Sequence, residues 1–145
     1  MRVTRHSIFP ASADTVWEIL QRRETLGYIT RGMMTFEEVD VPDELREGSV
    51  ARLRVKTLNL PPAMDYEIRF ARIDPAALEV VTHEHGGMIK SWIHRITVEP
   101  LSAQRCIYTD RIDIDAGPMT PLVWAYAGVF YRVRQRRWLD LLPAI

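Results

Sequence analysis

Residues 118–142, PMTPLVWAYAGVFYRVRQRRWLDLL, carry the longest helical signal in the chain. Pro118 and Pro121 suit the approach to a helix and its first turn, where a missing N–H costs little. Thr120 is the expected N-cap, because its hydroxyl can accept a bond from a free backbone N–H. Pro143 ends the run. The helix should span about 21 residues, roughly 31 Å at 1.5 Å per residue, enough to cross a small sheet. Leu122 to Tyr131 is almost wholly apolar and aromatic, whereas Arg132, Arg134, Arg136, Arg137 and Asp140 crowd the second half. Steps of three and four place Val123, Ala127, Phe130, Arg134, Trp138 and Leu141 on one side, with Arg134 its single charge. Arg132, Gln135, Arg136 and Asp140 fall toward the other side, where water can solvate them. A guanidinium can bury its stem and still reach water, so the stripe leaves open which way Arg134 turns.

Before this helix the chain reads mostly as short strands. Arg2 to Phe9 alternates loosely and forms a first strand, broken by Pro10. Ser12 is an expected N-cap for 13–20, with Val16, Trp17 and Leu20 at helical spacing. Residues 21–29 form a second short helix that buries Leu26 and Ile29 and is weakened by Gly27. Six strands follow, at 33–41, 49–58, 64–73, 78–85, 88–99 and 104–115. Leu60-Pro61-Pro62, Asp74-Pro75, Gly86-Gly87 and residues 100–103 are the expected turns, with Gly86-Gly87 suited to a two-residue hairpin. Connections this short imply antiparallel neighbours, since parallel strands need a crossover of about a dozen residues. A seven-stranded sheet with one apolar face must be covered, and only the C-terminal helix is long enough to do it.

At 145 residues the chain is one domain with a real core. The 19 basic and 19 acidic residues balance, so no long-range field attracts a polyanion and a nucleic-acid partner is not expected. The uncharged part of the last helix falls well short of the ~20 residues of a membrane span. Met1–Ile8 is polar and charged, with no apolar core of a secretory signal. The lone cysteine, Cys106, excludes an intrachain disulfide and clustered-cysteine metal sites, and suits a cytoplasmic setting.

The order of these elements resembles the START/Bet v 1-like superfamily of helix-grip proteins, also called the polyketide cyclase/dehydrase and lipid-transport family, over the whole chain. The local likeness rests on Phe9-Pro-Ala-Ser-Ala-Asp-Thr-Val-Trp17, on Trp92-Ile-His-Arg-Ile-Thr-Val98 followed by Tyr108-Thr-Asp-Arg111, and on Phe130-Tyr-Arg-Val-Arg-Gln-Arg-Arg-Trp138. The resemblance implies an α+β fold: a curved, seven-stranded antiparallel sheet wrapped around a long C-terminal helix, with two short helices after strand 1. It also implies a hydrophobic cavity between sheet and helix that takes a small apolar or amphipathic molecule. Some relatives are polyketide cyclases or aromatases, others carry or sense a ligand, and one branch stimulates a chaperone. No universal catalytic motif accompanies the fold.

The last hairpin holds the most informative polar residues. With its turn near 101–103, His94 is expected opposite Asp110, Ile96 opposite Tyr108 and Trp92 opposite Ile112. His94 and Asp110 are then the polar members of two apolar faces. They tie strands to helix, orient a ligand, or act as acid and base. Tyr66, Phe70, Trp92, Tyr108, Trp124, Phe130 and Tyr131 form either a ligand wall or a filled core, with His94, Asp110 and Arg134 as polar anchors. His83 and His85 share a face and read as exposed hairpin histidines rather than metal ligands. Cys106 reads as a buried, inert thiol, and neither a nucleophile elbow nor a phosphate loop is present. The expected function is binding of a small hydrophobic or amphipathic molecule, without a cofactor. The alternatives are a polyketide cyclase, aromatase or dehydratase, and a protein-interaction module of chaperone or toxin–antitoxin type. Homodimerisation stays open.

Overall fold

The computed structural model describes residues 1–58 and 60–143. Strand β1 (Arg2–Phe9) is followed by helices α1 (Ala13–Leu20) and α2 (Arg23–Ile29). Six strands come next: β2 (Met34–Asp40), β3 (Val50–Thr57), β4 (Leu60–Asp74), β5 (Glu79–Gly86), β6 (Ile89–Ser102) and β7 (Arg105–Asp115). A short 3-10 turn, Gly117–Met119, leads into α3 (Thr120–Leu141). The sheet order is β1-β7-β6-β5-β4-β3-β2, and every pair is antiparallel. Strands β2 to β7 are thus a meander, and β1 closes onto β7 at the far edge. The core is apolar on the side that α1, α2 and α3 cover.

Helix α1 starts where Ser12 Oγ accepts the Thr15 N–H at 3.2 Å. Its Val16 and Ile19, with Ile29 of α2, join Phe9, Val98, Cys106, Tyr108 and Trp138 in one apolar cluster. A second cluster gathers Val3, Trp92, Ile112, Ile114, Ala127, Phe130 and Tyr131 at the other end of α3. Helix α3 packs on β1, β7 and α2. One flank is tied to β1, where Trp124 Nε1 donates to Arg2 O at 2.9 Å and Gln135 Nε2 to Arg5 O at 2.9 Å. On its other flank Tyr126 donates to Met33 O, Arg137 to Ile29 O and Arg31 O, and the Tyr28 hydroxyl to Asp140.

Four local expectations need correction. Met119, not Thr120, occupies the N-cap of α3. The Thr120 hydroxyl turns back instead, donating to Gly117 O and accepting from Ala116 N–H, and so secures the entry turn. Leu60, Pro61 and Pro62 already belong to β4, and the chain reverses just before them, where Leu58 has φ 55°. Position 59 itself lies outside the described residues. Gly86 pairs with Ile89, so the hairpin turn is Gly87-Met88. There Gly87 holds φ 54°, and a Cβ on it would lie 2.0 Å from Met64 Sδ, so both conformation and space call for glycine. The last hairpin is shifted by two residues from expectation: His94 faces Ile112, Ile96 faces Asp110, and Val98 faces Tyr108. The turn closes later, at Ala103-Gln104, because β6 runs through Pro100 to Ser102. A shift of two keeps every side chain on its face, so His94 and Asp110 both still point inward.

Candidate functional site

The two apolar clusters are separated by a buried polar layer. His94 Nε2 and Asp110 Oδ1 lie 2.6 Å apart, diagonal neighbours on β6 and β7 rather than direct partners. Asp110 Oδ2 accepts from Gln135 Nε2 at 3.1 Å, and Gln135 Oε1 accepts from Ser7 Oγ at 2.6 Å. Asp110 is completely buried. Burial on its own would push this carboxyl up. The His94 bond, the charges of His94 and Arg134 and the Gln135 amide outweigh it, and the carboxyl is held below its ordinary value. Gln135 was expected in solvent; its burial and three bonds make it the link between β1, β7 and α3.

Arg134 turns inward and is only 7% exposed. Its guanidinium lies 4.9 Å from the Tyr131 ring centroid and 5.5 Å from that of Phe130, in cation–π contact with both. Burial works against its charge, but Tyr131, Asp110, Tyr108 and Glu84 around it hold the proton more tightly than usual. Its Nε has no hydrogen-bond partner.

Across the layer on β5, Glu84 accepts from the Tyr66 hydroxyl at 2.9 Å and from the Thr82 hydroxyl at 2.5 Å. Burial and then the adjacent Glu84 push the Tyr66 phenol far above its normal range. Burial likewise raises Tyr131 and Tyr108, so these phenols remain protonated. The indole of Trp92 donates to the Tyr131 hydroxyl at 3.3 Å, and the His94 ring meets that of Tyr131 edge-on at 5.0 Å. Glu84 and Thr82 were missed as site residues. The alternation that puts His83 and His85 outside puts Glu84 inside, and that was the available signal.

The remaining candidates divide clearly. Trp92, Tyr108, Phe130 and Tyr131 are buried on the inner side, while Tyr66 and Phe70 are half-buried on the inner face of β4. Trp124 is 43% exposed, on the outer seam with β1, and is not part of the interior wall. His83 and His85 are exposed on the convex face, where His85 meets Glu67 at 2.8 Å. No group of three metal-ligating side chains occurs among the described residues. Cys106 is buried, and burial raises its thiol. Two shallow hollows flank α3 on its outer seam with β1, one lined by Arg5, Ile8, Arg132, Arg136 and Leu139 among others, the other by Val3, Trp124 and Val129.

Comparison with solved structures bears on the fold. A START superfamily protein from Mycobacterium smegmatis superposes with a TM-score of 0.73 at 16% identity, covering 96% of this chain and 94% of that one. The chain has the START/Bet v 1-like helix-grip fold. A norcoclaurine synthase from Thalictrum flavum, solved with dopamine and hydroxybenzaldehyde, gives a TM-score of 0.65 at 15% identity and covers 99% of this helix-grip chain and 89% of its own. An aromatase/cyclase from a Streptomyces species gives 0.60 at 21% identity, covering 97% and 89%. No protein-family model matches the sequence, and no curated relative matches it. Among the described residues, no helix is long and apolar enough to cross a membrane.

Proposed function

We propose that this helix-grip protein binds a small hydrophobic or amphipathic molecule on the concave side of its sheet, with His94, Asp110 and Arg134 as polar anchors. The observation that carries the reading is the inner wall of β4. Tyr66, Ile68 and Phe70 there are only half-buried although they face the inside. Helix α3 packs instead on β1, β7 and α2. An apolar wall with a few convergent polar groups is what a small-molecule site requires. Norcoclaurine synthase and the aromatase/cyclase, which share the fold, act on small molecules by name, which agrees with this reading.

Native mass spectrometry of protein purified from its own cells should show a retained small molecule. Ile68→Arg, which sets a charge on that wall, should release it with little change in melting temperature. No retained mass, together with no saturable binding of the neutral fluorophore N-phenyl-1-naphthylamine, overturns the reading. A second reading is supported by the buried His94–Asp110 pair, which has the composition of an acid–base couple. Under it the protein cyclises or dehydrates a polyketide-like substrate. A bell-shaped pH–rate profile lost in His94→Gln would support that reading, and an absence of turnover across poly-β-ketone substrates would end it.

A further inference from the structure

Among the described residues, three buried side-chain polar atoms have no partner within strict hydrogen-bond geometry: Arg134 Nε, Tyr108 Oη and Trp138 Nε1. All three carry a hydrogen to donate, and two of them, Arg134 Nε and Trp138 Nε1, can do nothing else. They are close together. Arg134 and Trp138 stand one turn apart on the buried face of α3, and the Trp138 ring centroid is 5.1 Å from that of Tyr108. The Trp138 indole N–H acts as a donor on the Tyr108 oxygen, which leaves the Tyr108 hydrogen and Arg134 Nε to be received. A buried donor left unbonded costs about 1–3 kcal/mol, and more when charged, so Arg134 Nε with the Tyr108 hydroxyl near it marks a missing acceptor.

The protein's own acceptors in the layer are committed elsewhere. Asp110 is held by His94 and Gln135, and Glu84 by Tyr66 and Thr82. Arg134 therefore has aromatic faces around it, and Asp110 and Glu84 offset its charge from nearby without either carboxylate being hydrogen-bonded to it. A guanidinium is shaped to grip a planar anion, and such bonds are about twice as strong as neutral ones. We infer that the molecule bound on the concave side is an organic anion whose carboxylate, or a like oxyanion, is received by Arg134 with Tyr108 as second donor, its apolar body lying along Ile68 and Phe70. This rests on the proposed function and adds the chemistry of the ligand's head.

The test compares two fluorophores of one skeleton, anionic 8-anilinonaphthalene-1-sulfonate and neutral N-phenyl-1-naphthylamine. The wild-type protein should bind the anionic probe at least about tenfold more tightly, the ratio expected for one charge-assisted bond. Arg134→Met should remove that advantage and leave the neutral probe within about twofold, while Arg134→Lys and Tyr108→Phe should each lose part of it. Arg136→Gln, on the outer seam, should change neither. If Arg134→Met does not fold, Arg134→Lys and Tyr108→Phe are read in its place, and unchanged affinity in both overturns the inference. It also falls if the neutral probe binds as tightly as the anion, or if Arg136→Gln alone weakens the anion. In those cases the ligand site itself survives. Only failure of both probes to bind counts against the site.

Discussion

At Asp110 three neighbours compete with burial. The carboxylate is withdrawn from water, yet His94, Arg134 and Gln135 keep it ionised and its proton affinity below normal. The unfolded value is about 4, and the folded value is lower, so the ionised form stabilises the fold in full above pH ~4. That contribution is lost as the pH falls through the folded value. Melting temperature should therefore drop with acid below pH ~4, and Asp110→Asn should flatten this slope. At neutral pH, Asp110→Ala should cost about 3–5 kcal/mol in denaturant unfolding, because Arg134 stays buried without its compensating charge. An acid slope unchanged in Asp110→Asn would mean that the carboxyl does not ionise in the fold. The inward pointing of Asp110 and His94 was legible from alternation along two apolar strands. Gln135 was not: on a helical wheel it falls beside charged residues, and only the proximity of β1 turns that strip of α3 inward.

Helix α3 shows how far periodicity alone reaches. The 22-residue length and the buried positions Ala127, Phe130, Arg134 and Trp138 agree with the pattern. Trp124 does not, since a tryptophan near the start of an apolar run reads as core when the helix is imagined under a sheet on all sides. Helix α3 instead meets β1 at the sheet margin, and Trp124 lies across that margin with its indole on Arg2 O. The two tryptophans should therefore differ in weight. Trp138 is fully buried and stacks within 5.6 Å of Phe9, so Trp138→Ala should cost about 3–5 kcal/mol. Trp124→Ala removes one hydrogen bond and a half-exposed ring and should cost no more than about 1.5 kcal/mol. Equal losses in urea melts would show that the outer seam supports the fold as much as the core does. Register is the level at which strand reading failed. The expected pairing placed a turn directly after Pro100, whereas β6 pairs that proline with Cys106, shifts register and reverses only after Ser102.

For the whole molecule, the order of strands and helices was legible because no connection between successive strands β2 to β7 is long enough for a crossover and each apolar face has to be covered. What could not be read was the division of the interior into two apolar ends with a polar layer between them. That division depends on which strands α3 touches, and no local pattern records it. The closure of β1 onto β7 has a further consequence. Met1 and Ile114 exchange backbone bonds across 113 positions of chain. As the polypeptide leaves the ribosome, β1 emerges well before β7, its strand partner, and α3, its covering helix. Strand β1 must wait, unpaired, while two helices and five strands are made before β7. Such long-range pairing pays its loop-closure entropy late and slows folding. In pulse-labelled refolding, amides of β1 should gain protection together with β7 and α3, after the β4–β5 hairpin; protection of β1 ahead of β7 would contradict this. Until that final step the newly made chain exposes an unfinished sheet margin, the kind of surface that general folding helpers bind and that otherwise seeds aggregation.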